Sequence, residues 1–196
     1  RYNPLLEEQL DISCYTNCIP WAVSAFFYMK HYEGWKDKEY PISVNFGDSP
    51  LFSRPLGDVL IRIANRAKNK MPKEAGLAKW LFEQTYPKDL LDPLDESELG
   101  FFNNYGLWAI LLYPGSAKAL SPEEANLPLV SWYENGSMFA RDEWKDTKTI
   151  LAIQGGYDNL NIISHSHNDQ NSFVLSHRKE LFFIDPGHCC YRLETQ

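Results

Sequence analysis

An α+β fold with its helices early and its antiparallel strands late is predicted by three observations. Apolar residues recur at helical spacing before residue 125, short strand-like runs follow after it, and an Asn135-Gly136 pair separates two of those runs. The predicted division is a helical segment over 1–125 and a β segment over 126–196.

Taken in order, the aromatic-rich stretch Trp21 to Lys30 follows Pro20, a residue suited to a first helical turn, so a helix is predicted there. Arg54 to Lys70 places Val59, Leu60, Ile63, Ala64 and Ala67 on one stripe and predicts a second helix. Gly76 to Gln84 and Glu96 to Leu112 predict two more, and stretches such as Asn45-Phe46-Gly47-Asp48-Ser49-Pro50 read as loops. Beyond residue 125, Val130–Tyr133 and Met138–Arg141 flank the Asn-Gly pair, whose usual hairpin form is a type I′ turn. Thr147 to Gln154 reads as a strand, and Asn171–Ser176 with Leu181–Ile184 as a hairpin around His177-Arg178-Lys179-Glu180.

Composition narrows the function. The 196 residues are 44% apolar and 14% aromatic, which suits a packed core and excludes disorder. A formal charge of −7 argues against a nucleic-acid partner, and no apolar run is long enough for a membrane span. Cys14, Cys18, Cys189 and Cys190 form no framework that fixes a redox compartment; Cys14 and Cys18 read as two apolar thiols on one helical turn. The chain begins at Arg1 without a signal peptide and stops at Gln196, so it reads as a piece of a larger protein whose site is incomplete here.

Four of the five histidines fall between His165 and His188. In an extended backbone His165, His167 and Asp169 project to one side, and a hairpin from Asn171 to Ile184 returns Asp185 beside His167. Two imidazoles and a carboxylate at a strand end suit Zn²⁺, and an imidazole outside the metal shell suits acid–base work or charge neutralisation near neutral pH. His31 and His177 read as structural, and most of the six tryptophans as core.

HSHNDQNSFVL followed by a basic turn and LFFIDPG resembles the heparinase II/III-like signature of polysaccharide lyases and the related uronate epimerases. SWYENGSMFARDEW resembles the segment that opens that family's β-sandwich, and NFGDSP with the following helix a connection late in its helical toroid. The resemblance thus implies the C-terminal part of an (α/α) toroid followed by the start of an antiparallel β-sandwich. It makes His165 the active-site histidine, His167 and Asp185 ligands of a structural zinc, and a residue past Gln196 the third ligand, with His188 as an outside candidate. A toroid tyrosine serves as base and acid in this family; Tyr15 is the nearest match and reads equally as a buried aromatic. Asp169 either orients a histidine or caps the turn before Asn171, and Arg141 either meets a sugar carboxylate or sulfate or pairs with Glu143.

The chemistry implied is β-elimination on an anionic polysaccharide of glycosaminoglycan or alginate type, in the periplasm or outside the cell. The C5 proton lies α to a carboxylate and becomes acidic only when that charge is neutralised, which is oxyanion-hole logic. The alternatives are a uronate C5-epimerase and an inert carbohydrate-binding protein that keeps the metal motif for folding.

Overall fold

The computed structural model describes residues 11–31, 39–47, 54–86, 111, 113–155 and 169–185. Helices and an antiparallel sheet are both present, so the fold is α+β. The chain divides into two compact units, 1–23 with 55–127 and 24–54 with 128–196. The excursion over 24–54, which joins the β unit, has no counterpart in the sequence reading.

In the helical unit, α1 (Tyr15–Ala25) carries the chain up to the excursion. It begins ahead of the predicted start and holds Pro20 in its interior rather than its first turn. It also ends sooner than predicted, because Phe26–His31 is a strand: Phe26, Phe27 and Tyr28 are strand formers as readily as helix-face residues. Helices α2 (Gly57–Ala67) and α3 (Pro72–Thr85) pack on each other. The buried stripe of α2 is Gly57, Leu60, Ile61, Ala64 and Ala67; Val59 faces outward and Ile61 takes its expected place. Pro72 opens α3, where a missing N–H costs nothing. Gly76 is required by a close approach, since a Cβ there would stand 2.6 Å from Leu120 Cβ, and Leu120 N donates to Gly76 O at 3.0 Å. The Tyr86 hydroxyl accepts from Gly57 N at 2.9 Å and donates to Pro55 O at 3.2 Å, tying the start of α2 to the end of α3. The helix predicted over Glu96 to Leu112 lies, but for residue 111, outside the described residues.

The β unit contains an antiparallel pair, β1 (Phe26–His31) and β2 (Glu39–Ser43), and a sheet of β3 (Val130–Trp132), β4 (Ser137–Arg141), β5 (Thr149–Gln154), β6 (Ser172–His177) and β7 (Glu180–Phe183) in sequential order. All five were legible as runs, but the turns differ from expectation. At Asn135-Gly136 only Gly136 has a positive φ, 81°, so the link is not a type I′ turn. Gly136 N donates to Tyr133 O and Tyr133 N to Ser137 O, the pattern of a loop relieved by one left-handed glycine. Positive φ at both central residues occurs instead at Arg178 (50°) and Lys179 (62°), the two-residue link of β6 to β7. Neither is a glycine, and the turn is held from outside: Lys179 Nζ donates to Met29 O at 3.0 Å, and Lys30 Nζ donates to Lys179 O at 2.6 Å and pairs with Glu180 at 2.9 Å.

Register gives each sheet face its residues, because paired residues share a face. One face carries the rows Ser131–Phe139–Ala152–Val174 and Arg141–Ile150–Ser176–Leu181. Phe139, Ile150, Ala152 and Val174 are buried there. The β1–β2 pair lies against this face through Tyr28 Oη and Ser176 Oγ at 2.7 Å, and the last turn of α1 adds Ser24 Oγ and Tyr133 Oη at 3.1 Å. The opposite face carries Val130–Ala140–Leu151–Leu175–Phe183 and Trp132–Met138–Ile153–Phe173.

Candidate functional site

The sheet end that receives the motif is built from both parts of the β unit. Strand β5 ends at Gln154, β6 begins at Ser172, and Leu175 pairs with Phe183, so the chain before β6 and the chain after β7 leave the sheet at the same end. Asp169 stands just before β6 and Asp185 just after β7. Between them comes the loop that follows β2. Asn45, 2% exposed, donates from Nδ2 to Asp185 O at 2.8 Å, and Gly47 N donates to the Asp169 carboxylate. Gly47 has φ 72°, a conformation that favours glycine, so the amide is aimed by a residue chosen for its backbone.

Of the sequence-predicted residues, Asp169 and Asp185 are brought to this end, and Asp185 is buried at 6% exposure. His165, His167 and His188 lie outside the described residues. Asp169 does not cap the turn before Asn171 with its side chain. Its main-chain oxygen accepts from Ser172 N at 2.8 Å, and its carboxylate is taken by Gly47. Sequence reasoning missed Asn45 and Gly47, since NFGDSP was assigned to a helical connection. The only signal was an Asn-x-Gly loop flanked by apolar residues, and its partners stand more than a hundred positions away.

Arg141 bonds to main-chain oxygens instead of pairing with Glu143. Its Nη2 donates to Ser24 O at 2.8 Å and to Phe26 O at 3.2 Å, and its guanidinium lies 3.9 Å from the Trp144 ring centroid. Burial pushes its pKa down to about 10, which leaves it charged at neutral pH. It ties the exit of α1 to the sheet, while Glu143 stands 3.9 Å from Lys148. Asp142 beside it is a loop organiser: burial pushes its carboxyl up, but donors from Thr149, Lys148 and Glu143 outweigh that and hold it below the usual range.

Tyr15 packs, half-buried, on the cluster of Ile12, Ala67 and Ala75 in the helical unit. Cys14 and Cys18 sit on one turn, but both are exposed rather than apolar core, and burial followed by the neighbouring Cys14 raises the Cys18 thiol. His177 Nδ1 and Thr149 Oγ1 are 3.0 Å apart across β5 and β6, a structural engagement. Trp132 departs from the expectation of a core role and is 73% exposed. A cavity of about 550 Å³ in the helical unit is lined by Lys68, Lys73, Lys118 and Ser116 among others, and by none of the predicted site residues.

As a metal donor, Asp185 has suitable chemistry, a buried carboxylate at a strand end. Among the described residues no three His, Cys, Asp or Glu side chains cluster, so a metal there needs donors from outside them. No helix among the described residues is long and apolar enough to cross a membrane. Compared with family models and with curated proteins, the chain has no match.

Proposed function

We propose that the chain is part of a polysaccharide lyase of the heparinase II/III-like type, cleaving uronic-acid-containing glycans by β-elimination. One observation supports the reading: Asp169, just before β6, and Asp185, just after β7, lie at one sheet end and both bond to the loop Asn45–Gly47. Two aspartates of the motif, sixteen positions apart and anchored at a common loop, suit a site assembled from both ends of the hairpin.

In this proposal His165 neutralises the substrate carboxylate, which makes the C5 proton removable. Tyr15 is the proposed base: it takes the C5 proton, the C–H electrons form the C4–C5 double bond, and the C4–oxygen bond breaks, with a proton returned to the departing oxygen. His167 and Asp185 would hold the zinc, whose contribution when bound is to cross-link the sheet end. The finer fold belongs to the same proposal, the helical unit as the end of a toroid and the sheet as the first layer of a sandwich. The apolar outer face, with Val130, Phe173 and Phe183 exposed, supports a covering layer. An anionic polysaccharide substrate places the protein in the periplasm or outside the cell.

The test is ultraviolet absorbance of the unsaturated product, measured on the intact protein against a panel of uronate polysaccharides beside His165→Ala and Tyr15→Phe. Product from the parent and none from either folded variant supports the reading with both roles. Product that persists in Tyr15→Phe removes the tyrosine from it. A flat trace with C5 proton exchange into solvent replaces the lyase by an epimerase, and no exchange leaves a binding protein.

A further inference from the structure

We propose that the Asn45–Gly47 loop is the positioning element of the sheet-end site, fixing Asp169 and Asp185 relative to each other; its functional meaning rests on the lyase reading above. Asp169 and Asp185 leave the sheet on different strands, and the described contacts between the loop and these two residues run through Asn45 and Gly47. Asn45 acts on the main chain of Asp185, so it governs where the backbone goes after β7 rather than the charge of the carboxylate. Gly47 acts on the carboxylate of Asp169, two positions after His167, and so governs the approach into β6.

Three features make the loop a rigid reference. Val44 N donates to Ala25 O at 2.9 Å, which pins its start to the exit of α1. Ile42 and Ser43 just before it are buried, and Ile42 is fully so. Gly47 holds its amide through a positive φ. A buried amide nitrogen facing a carbonyl is also a donor that is expensive to lose, because the oxygen left behind has no water to replace it. Asn45 and Gly47 are positioning residues and need not touch substrate.

Asn45→Asp keeps the size of the side chain and replaces the donor by an acceptor. In the full chain we expect amide hydrogen exchange over residues 169–172 and 184–185 to rise about tenfold, the range for a buried bond lost, with exchange in β4 and β5 unchanged. With substrate, kcat falls and KM holds. Unchanged exchange at both stretches overturns the proposal, and so does an equal rise throughout the sheet, which is the signature of general destabilisation. Should Asn45→Asp fail to fold, Asp169→Ala at the half-exposed side of the same loop is read by the same exchange, with a local rise expected and none overturning it. His165→Ala runs alongside. A parent without turnover on any uronate glycan sinks the lyase reading, while the exchange data still decide the loop.

Discussion

The two faces of the five-stranded sheet are alike in sequence and opposite in structure. Both carry apolar residues at their centre, with Phe139, Ala152 and Val174 on one side and Leu151, Ile153 and Phe173 on the other, and the polar Ser131, Arg141 and Ser176 belong to the first. The first side is covered by β1 and β2, which enter from the early part of the chain. The second exposes Val130, Trp132, Phe173 and Phe183, with the Phe173 and Phe183 rings 5.1 Å apart. Strands apolar on both sides are the pattern of a sheet buried on both faces. Burial therefore follows from where a distant segment returns, and local alternation does not select the covered face.

Substitutions on the two faces sharpen this contrast. Ile150→Ala, fully buried on the covered face, should lower unfolding free energy by about 3 kcal/mol in urea titration. Arg141→Ala should cost about 2–3 kcal/mol, because it deletes charge-assisted donors to Ser24 O and Phe26 O together with buried stem and ring contact. Arg141→Lys should recover little of it, since a single ammonium lacks the planar fork. Tyr28→Phe removes one hydroxyl bond to Ser176 and should cost about 1 kcal/mol. In the 196-residue chain, where this face is open, Phe183→Ser should stay within about 0.5 kcal/mol and reduce self-association in light scattering. A loss at Phe183 as large as that at Ile150 would break the contrast.

Acid sharpens it locally. The Asp142 carboxyl is held below its ordinary value in the fold, so its contribution is complete above the unfolded value of about 3.9 and is lost as pH falls through the lower folded value. Asp142→Asn should flatten that limb of a stability–pH profile, by less than about 1 kcal/mol for so exposed a group.

Much of the fold was legible because its signals are local. The stripe of α2, most of α3 over Gly76–Gln84 and the runs of β4 to β7 lie within single elements, while the first turn of α3 from Pro72 precedes the predicted start. What was missed depends on contacts made elsewhere. Phe26-Phe27-Tyr28 supports helix or strand equally, and pairing with Glu39–Ser43 decides it. The left-handed pair Arg178-Lys179 has no glycine to announce it and is stabilised from Met29 and Lys30. At the site, Asp169 and Asp185 could be nominated from a motif, whereas Asn45 is recognisable only once its hydrogen bond spans 140 positions. Arg141 was nominated for its charge, and its charge is spent on two carbonyls.

Residues 24–31 and 39–47 fold with the late sheet although the sequence on both sides of them folds into helices. Native-state hydrogen exchange across a urea series tests it most directly. Amides of β1 and β2 should share the opening free energy and urea dependence of β4 to β6. Exchange of β1 and β2 together with α2 and α3, at a free energy distinct from that of the sheet, would contradict it.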